Sequence, residues 1–179
     1  MKKKITANPL DNTPPERIAC ILKEIEEQEQ AWTDFIASIS AEQAVEPVDG
    51  SWSALETFIH TASWIENALW VACLQAEPNA PDPGPTRGAA GYLHINVDNF
   101  NAEVIKAHHG MTREETPEWS HRVNGGLRAA LRKLPVERVL PGAGRYGARM
   151  WFWMPAFIHT RGHRRRVEQR LRAGSTELN

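Results

Sequence analysis

Apolar residues recur every three and four positions through most of the chain. No run alternates apolar and polar long enough to make a useful strand. A chain with this periodicity folds by burying stripes on helices, so the expected class is all-α. The first stripe is Ile18, Ile21, Leu22, Ile25, Trp32, Phe35, Ile36 and Ile39. It follows Thr13-Pro14-Pro15-Glu16, a helix start with proline in the first turn, and leaves Glu24, Glu26, Glu27 and Glu29 mainly towards solvent. Glu46-Pro47-Val48-Asp49-Gly50 breaks it. Ser53-Ala54-Leu55-Glu56 is a capping box, in which each side chain satisfies a free backbone N–H of the first turn. The helix it opens should run to about Gln75, because Pro78, Pro81, Pro83 and Pro85 forbid continuation.

Three more helices follow. One spans about Asn96 to His108, with Val97, Phe100, Val104 and Ile105 on its apolar face and Gly110 ending it. The next runs from about Thr112 to Leu134 and places Trp119, Val123, Leu127, Ala130, Leu131 and Leu134 on one side. Its Gly125-Gly126 pair costs about 1 kcal/mol per glycine relative to alanine, and a bend is expected there. The last helix starts near Pro155 and continues to about Arg172. The glycines of Pro141–Gly147 lack the Gly-Lys-Ser/Thr of a phosphate loop. The expected organisation is one helical-bundle domain over 13–173, with tails at 1–12 and 174–179.

Charge and composition remove several function classes. Lys and Arg number 21 against 22 Asp and Glu, so a nucleic-acid coat is not expected. The longest apolar run, Met150 to Ile158, is far shorter than the roughly 20 residues of a membrane span. Lys2, Lys3 and Lys4 are not followed by the apolar stretch of a signal peptide, and Cys20 and Cys73 cannot make a disulfide framework. A cytoplasmic location is the expectation. There is no Gly-x-Ser-x-Gly, paired-cysteine or Rossmann glycine motif. The arginines at 161, 164, 165, 166, 170 and 172 suit a solvated face near a helix C-terminus.

What stands out is seven tryptophans and seven histidines. His159 and His163 are spaced i, i+4 and lie about 40° apart on a helix. Phe152, Ala156, Val167 and Leu171 extend the same stripe, so both imidazoles occupy positions where core residues are called for. Two buried neutral imidazoles need partners for their ring nitrogens; a divalent metal supplies one for each, and other polar groups could do the same. The candidate third ligand is His60. It points about 150° from the centre of the face formed by Leu55, Phe58, Ile59, Ala62, Ile65, Leu69 and Cys73. Either that helix is buried on both sides and His60 lines a pocket, or His60 is solvated. Trp64, one turn on, and the scarcity of Lys and Arg favour the pocket. His108-His109 reads as a frayed helix end, while His94 and His121 have no partner in the pattern.

Asp49-Gly50-Ser51-Trp52-Ser53 leads into Glu56, with His60 eight residues after Trp52, Trp64 four later, and His159-Thr160-Arg161-Gly162-His163 near the end. In the order and spacing of these segments the chain resembles the DinB/YfiT-like superfamily of four-helix-bundle metalloenzymes. Its Gly91 to Val97-Asp98-Asn99-Phe100-Asn101 region is similar to the ClbS/DfsB branch. The resemblance implies a four-helix bundle with an extra covering helix or loop segment. It also implies a single divalent metal, nickel or zinc first and iron or manganese next, held by His60, His159 and His163. Gly162 departs from the pattern, since a larger residue commonly precedes that ligand; it would leave room for substrate or loosen the helix.

Three neutral imidazoles would leave the metal an open position, as in catalytic sites. The resemblance implies a metal-dependent hydrolase or thiol S-transferase acting on a small, partly apolar molecule, with a homodimer as a further possibility. Trp64 and Trp153 are the candidate pocket walls, whereas Trp52 and Trp151 are assigned mainly to the core. Glu56 is the candidate general base, although its capping role already accounts for it. Two other expectations remain. One is a ClbS/DfsB-like protective protein that binds or hydrolyses a reactive small molecule without metal; the other is a non-enzymatic binding or dimerisation module.

Overall fold

The computed structural model describes residues 14–76, 97–134 and 158–176. The elements are α1 (Pro14–Ser38), α2 (Ala41–Val45), β1 (Pro47–Asp49), β2 (Trp52–Ser53), α3 (Ala54–Ala76), α4 (Val97–Ala107), α5 (Glu115–Lys133) and α6 (Thr160–Thr176). Almost all of the described chain is helical. None of its helices is long and apolar enough to cross a membrane. The start expected near Pro155 for the last helix, the Pro78–Pro85 stretch and the loop at 141–147 lie outside the described residues.

Two small elements escaped the periodicity. Ser40 caps α2 by accepting from the Gln43 N–H, while the Gln43 side chain accepts from the Ser40 N–H, a second capping box. After it, β1 and β2 pair antiparallel, Pro47 opposite Ser53 and Asp49 opposite Trp52. Gly50 makes the turn between them at φ +67°, a conformation that costs glycine little. The hairpin is too short to show an alternation, yet it delivers the chain directly into α3. There the expected box forms: Glu56 accepts from the Ser53 N–H at 2.8 Å, and Ser53 Oγ accepts from the Glu56 N–H at 3.1 Å.

Helix α3 is the centre of the assembly and packs against α1, α2, α4, α5, α6 and the hairpin. Ile59, Ala62, Ile65 and Ala68 join Ile21 and Ile25 of α1, Phe100 and Val104 of α4, and Trp119, Val123, Leu127 and Leu131 of α5 in one core cluster. A second cluster gathers Trp32 and Ile36 of α1, Ala54 and Phe58 of α3, and Val167 and Leu171 of α6. Trp32 and Phe58 stack within it, ring centres 5.0 Å apart. Thus α6 is fixed against the first turns of α3, and the apolar residues that follow His163 on its stripe are the ones that anchor it.

The glycine pair lies inside α5, and one of its two members has a packing role. The helix continues without interruption from Glu115 to Lys133. A Cβ on Gly126 would come within 2.9 Å of Leu69 Cδ2, so glycine there lets α5 approach α3, whereas Gly125 faces open space. Gly125→Ala should therefore raise stability by about 1 kcal/mol through helix propensity alone. Gly126→Ala should gain less or lose stability, because Leu69 must move. Denaturant melts of the two single variants check this.

Candidate metal centre

The local fold brings three imidazoles together from distant parts of the chain. His60 projects from the second turn of α3, which the hairpin and capping box hold in place. His159 immediately precedes α6, and His163 is on the first turn of α6 itself. Their ligand nitrogens all fall within 4.8 Å of one another, and no other such cluster of His, Cys, Asp or Glu occurs among the described residues. Nε2 of His159 is 3.1 Å from Nε2 of His60 and 3.0 Å from Nε2 of His163. The ring centres are 4.5–5.0 Å apart.

The two possibilities for His60 are thereby resolved. Its neighbours Thr57, Thr61, Ser63, Glu66 and Asn67 are as buried as the apolar face of α3, and His60 itself is 2% exposed. The helix is covered on both sides. Burial holds the His60 pKa down to about 2, helped by the neighbouring His159 and His163 and then by Arg166; the Asn101 side chain, which favours an N–H on the ring, pulls the other way. Nδ1 of His60 makes no hydrogen bond of good geometry to any described residue. A buried, neutral imidazole of this kind has its lone pair available, the form in which histidine binds metals.

Whether the residues fit a metal turns on the valence of one atom. An imidazole nitrogen carries either one hydrogen or one lone pair, so it satisfies one neighbouring nitrogen well and not two. Nε2 of His159 has two at about 3 Å. Two imidazole nitrogens bound to one cation at about 2.0–2.1 Å are held roughly 2.9–3.4 Å apart for bond angles from octahedral to tetrahedral, and the two spacings made by His159 Nε2 fall in that range. The three histidines lie close enough to hold a metal ion.

The surroundings are aromatic. Trp64 meets Phe100 at 4.7 Å between ring centres, approaches His60 at 6.4 Å and His159 at 6.1 Å, and donates its indole N–H to Asn101 Oδ1 at 3.2 Å. Trp52, expected in the core, is half-buried and lies against the triad, 4.5 Å from the His60 ring and 6.5 Å from that of His163. The hairpin turns it there. Asn101 and Arg166, whose Nη2 lies 2.8 Å from His163 Nδ1, also belong to the site, and no spacing rule pointed to either. Trp151 and Trp153 lie outside the described residues. Glu56 is engaged at the helix cap.

Several expectations elsewhere are corrected. Glu29 is not on the solvent side: 8% exposed, it accepts from His121 Nδ1 at 2.6 Å and pairs with Arg128, tying α1 to α5. His121 therefore has a partner, one 92 residues away in sequence. His108 lies in the turn that ends α4, as expected, but is packed there: its ring stacks on Trp119 at 4.4 Å, and its Nδ1 is 2.9 Å from the Val104 carbonyl. A separate depression of about 460 Å³ beside it, walled in part by His108, Met111, Trp119 and Arg122, includes none of the three clustered imidazoles.

No protein-family model, curated protein or solved structure matches the chain.

The His60 environment gives a pH dependence. In the unfolded chain this imidazole takes up a proton near pH 6.5, while in the folded protein it stays neutral down to about pH 2. Between those values the unfolded state binds more protons, so the metal-free protein should lose stability as pH falls, by up to about 1.4 kcal/mol per pH unit. His60→Leu should remove this component and raise metal-free stability at neutral pH, since the orphaned Nδ1 disappears. Denaturation of chelator-treated protein from pH 8 to pH 4 measures both.

Proposed function

We propose that this protein is a metal-dependent enzyme of the hydrolase or thiol S-transferase class. It would be built as a DinB/YfiT-like four-helix bundle and act on a small, partly apolar molecule. The observation that carries this reading is the position of His159 Nε2 between two other imidazole nitrogens, an arrangement that a shared cation satisfies and hydrogen bonding does not. The order of the sequence segments supports the family, and the convergence of the same three histidines supports the ligand set.

In this reading His60, His159 and His163 hold the ion. When bound, a divalent metal with three neutral protein ligands supplies Lewis-acid polarisation and lowers the pKa of a water or thiol. The chain's own residues do the rest. His60 is buried, and its Nε2 faces His159 Nε2 at 3.1 Å, where the lone pair of a neutral ring would meet the ion. Trp52 and Trp64 shield the imidazoles from bulk water and offer flat apolar faces to a ligand. The same faces favour the metal-independent binding protein as a second reading; it requires the Trp faces and not the three imidazoles.

Protein purified without a histidine tag should carry about one equivalent of a divalent metal, nickel or zinc first, by elemental analysis. Metal at 100 times its dissociation constant should stabilise it by about 3 kcal/mol over chelator-treated protein. Single alanine substitutions of His60, His159 or His163 should weaken metal binding by more than the roughly 10–100-fold that outer partners contribute. Wild-type protein that neither retains metal nor shifts in a thermal melt with nickel or zinc would refute the reading.

A further inference from the structure

The turn that joins α4 to α5 walls the depression of about 460 Å³, a volume within the range of small-molecule sites. The turn is held by its own backbone. His108 and His109 donate their N–H groups to the Val104 and Lys106 carbonyls, and Met111 donates to the His108 carbonyl at 3.0 Å. Gly110 reverses the chain at φ +89°. A reciprocal pair of bonds then ties Thr112 to Glu115: the Thr112 N–H donates to Glu115 Oε2 at 2.8 Å, and the Glu115 N–H donates to Thr112 Oγ1 at 3.2 Å. The walls are thus formed in advance of any ligand, which lowers the cost of binding one.

The polar groups of the depression are complementary in sign. Nδ1 of His108 lies 2.9 Å from the Val104 carbonyl, which can only accept. The hydrogen is therefore on Nδ1, and in the neutral ring Nε2 keeps its lone pair. Glu118 and Arg122 line the same depression from α5, four residues apart. A glutamate placed so before a basic residue normally pairs with it. Here neither forms an ion pair or a side-chain hydrogen bond with any described residue, whereas Arg113, Arg128 and Arg164 each pair with a carboxylate. One unpaired carboxylate and one unpaired guanidinium therefore stand a helical turn apart, roughly 5–6 Å between Cβ atoms. Beside them are Met111 and the His108 ring, the latter stacked on Trp119.

We propose that this depression binds a small zwitterion, an α-amino acid with an apolar side chain. Its ammonium lies against Glu118 and His108 Nε2, its carboxylate takes the Arg122 fork, and its side chain rests against Met111 and the His108 ring. An ammonium and a carboxylate on one carbon satisfy both charges of the site, whereas a simple anion or cation leaves one of them unused. None of the three clustered imidazoles takes part, so the site is independent of the metal reading.

Two-dimensional NMR titration of the 15N-labelled full chain with phenylalanine, 3-phenylpropionate and phenethylamine tests the proposal. Wild type should bind phenylalanine saturably, with amide shifts concentrated over residues 107–122, and about threefold more tightly than either analogue. Glu118 and Arg122 are exposed, so Glu118→Gln and Arg122→Gln should keep the fold. Each should weaken phenylalanine about two- to fivefold, the range of an exposed ion pair. Glu118→Gln should leave 3-phenylpropionate unchanged, and Arg122→Gln should leave phenethylamine unchanged. No saturable shifts in wild type, shifts centred elsewhere, or equal affinity in wild type and both variants overturns the proposal. Equal binding of the three compounds also overturns it, since that marks a merely apolar site. A loss in only one variant reduces the ligand to an ion of one sign and overturns the zwitterion.

Discussion

The burial of α3 on all sides is the constraint on which the rest of the structure depends. A helix with an apolar face alone could lie on the surface with His60 in water. Here α1, α2, α4, α5, α6 and the hairpin all pack around it, so Thr57, His60, Thr61, Ser63, Glu66 and Asn67 are taken out of solvent together with the apolar residues. Withdrawing that many polar groups is costly unless each finds a partner. Thr57 and Thr61 find backbone carbonyls one turn earlier. His60 finds His159, which also meets His163, and that pairing leaves the His159 nitrogen with more neighbours than its valence can serve. The chemistry of the site begins in this deficit.

Position along α6 is fixed by apolar contacts, and its histidines follow. Val167 and Leu171 enter the cluster of Trp32, Ile36 and Phe58, which sets both the rotation and the height of the helix against α3. One turn before Val167, the same stripe presents His163, and one turn before that, His159. The three nitrogens thus meet because the apolar residues of α6 leave little freedom elsewhere.

Legibility differed by the range of the interaction involved. The Ser53–Glu56 box, the extents of α1, α3 and α4 and the inward placement of His159 and His163 were readable, since each depends on residues within a few positions of one another. Ser40–Gln43 is of the same kind and carried an equally clear signal. Glu29 was misassigned because its partners, His121 and Arg128, are about a hundred positions away and nothing in α1 announces them. Trp52 was assigned to the core because burial statistics favour that for tryptophan, whereas the short hairpin turns it onto the histidines.

By itself the sequence determined that the chain is helical, where most of its helices begin and end, and which histidines share a helix face, because periodicity and capping are local. Tertiary structure alone decided that His60 is buried, that it meets His159 and His163, and that Trp52, Asn101 and Arg166 surround them. The reason is physical: a helix's angular pattern states which residues lie together on its surface, but the partner that covers each side is set by how all the apolar stripes pack at once.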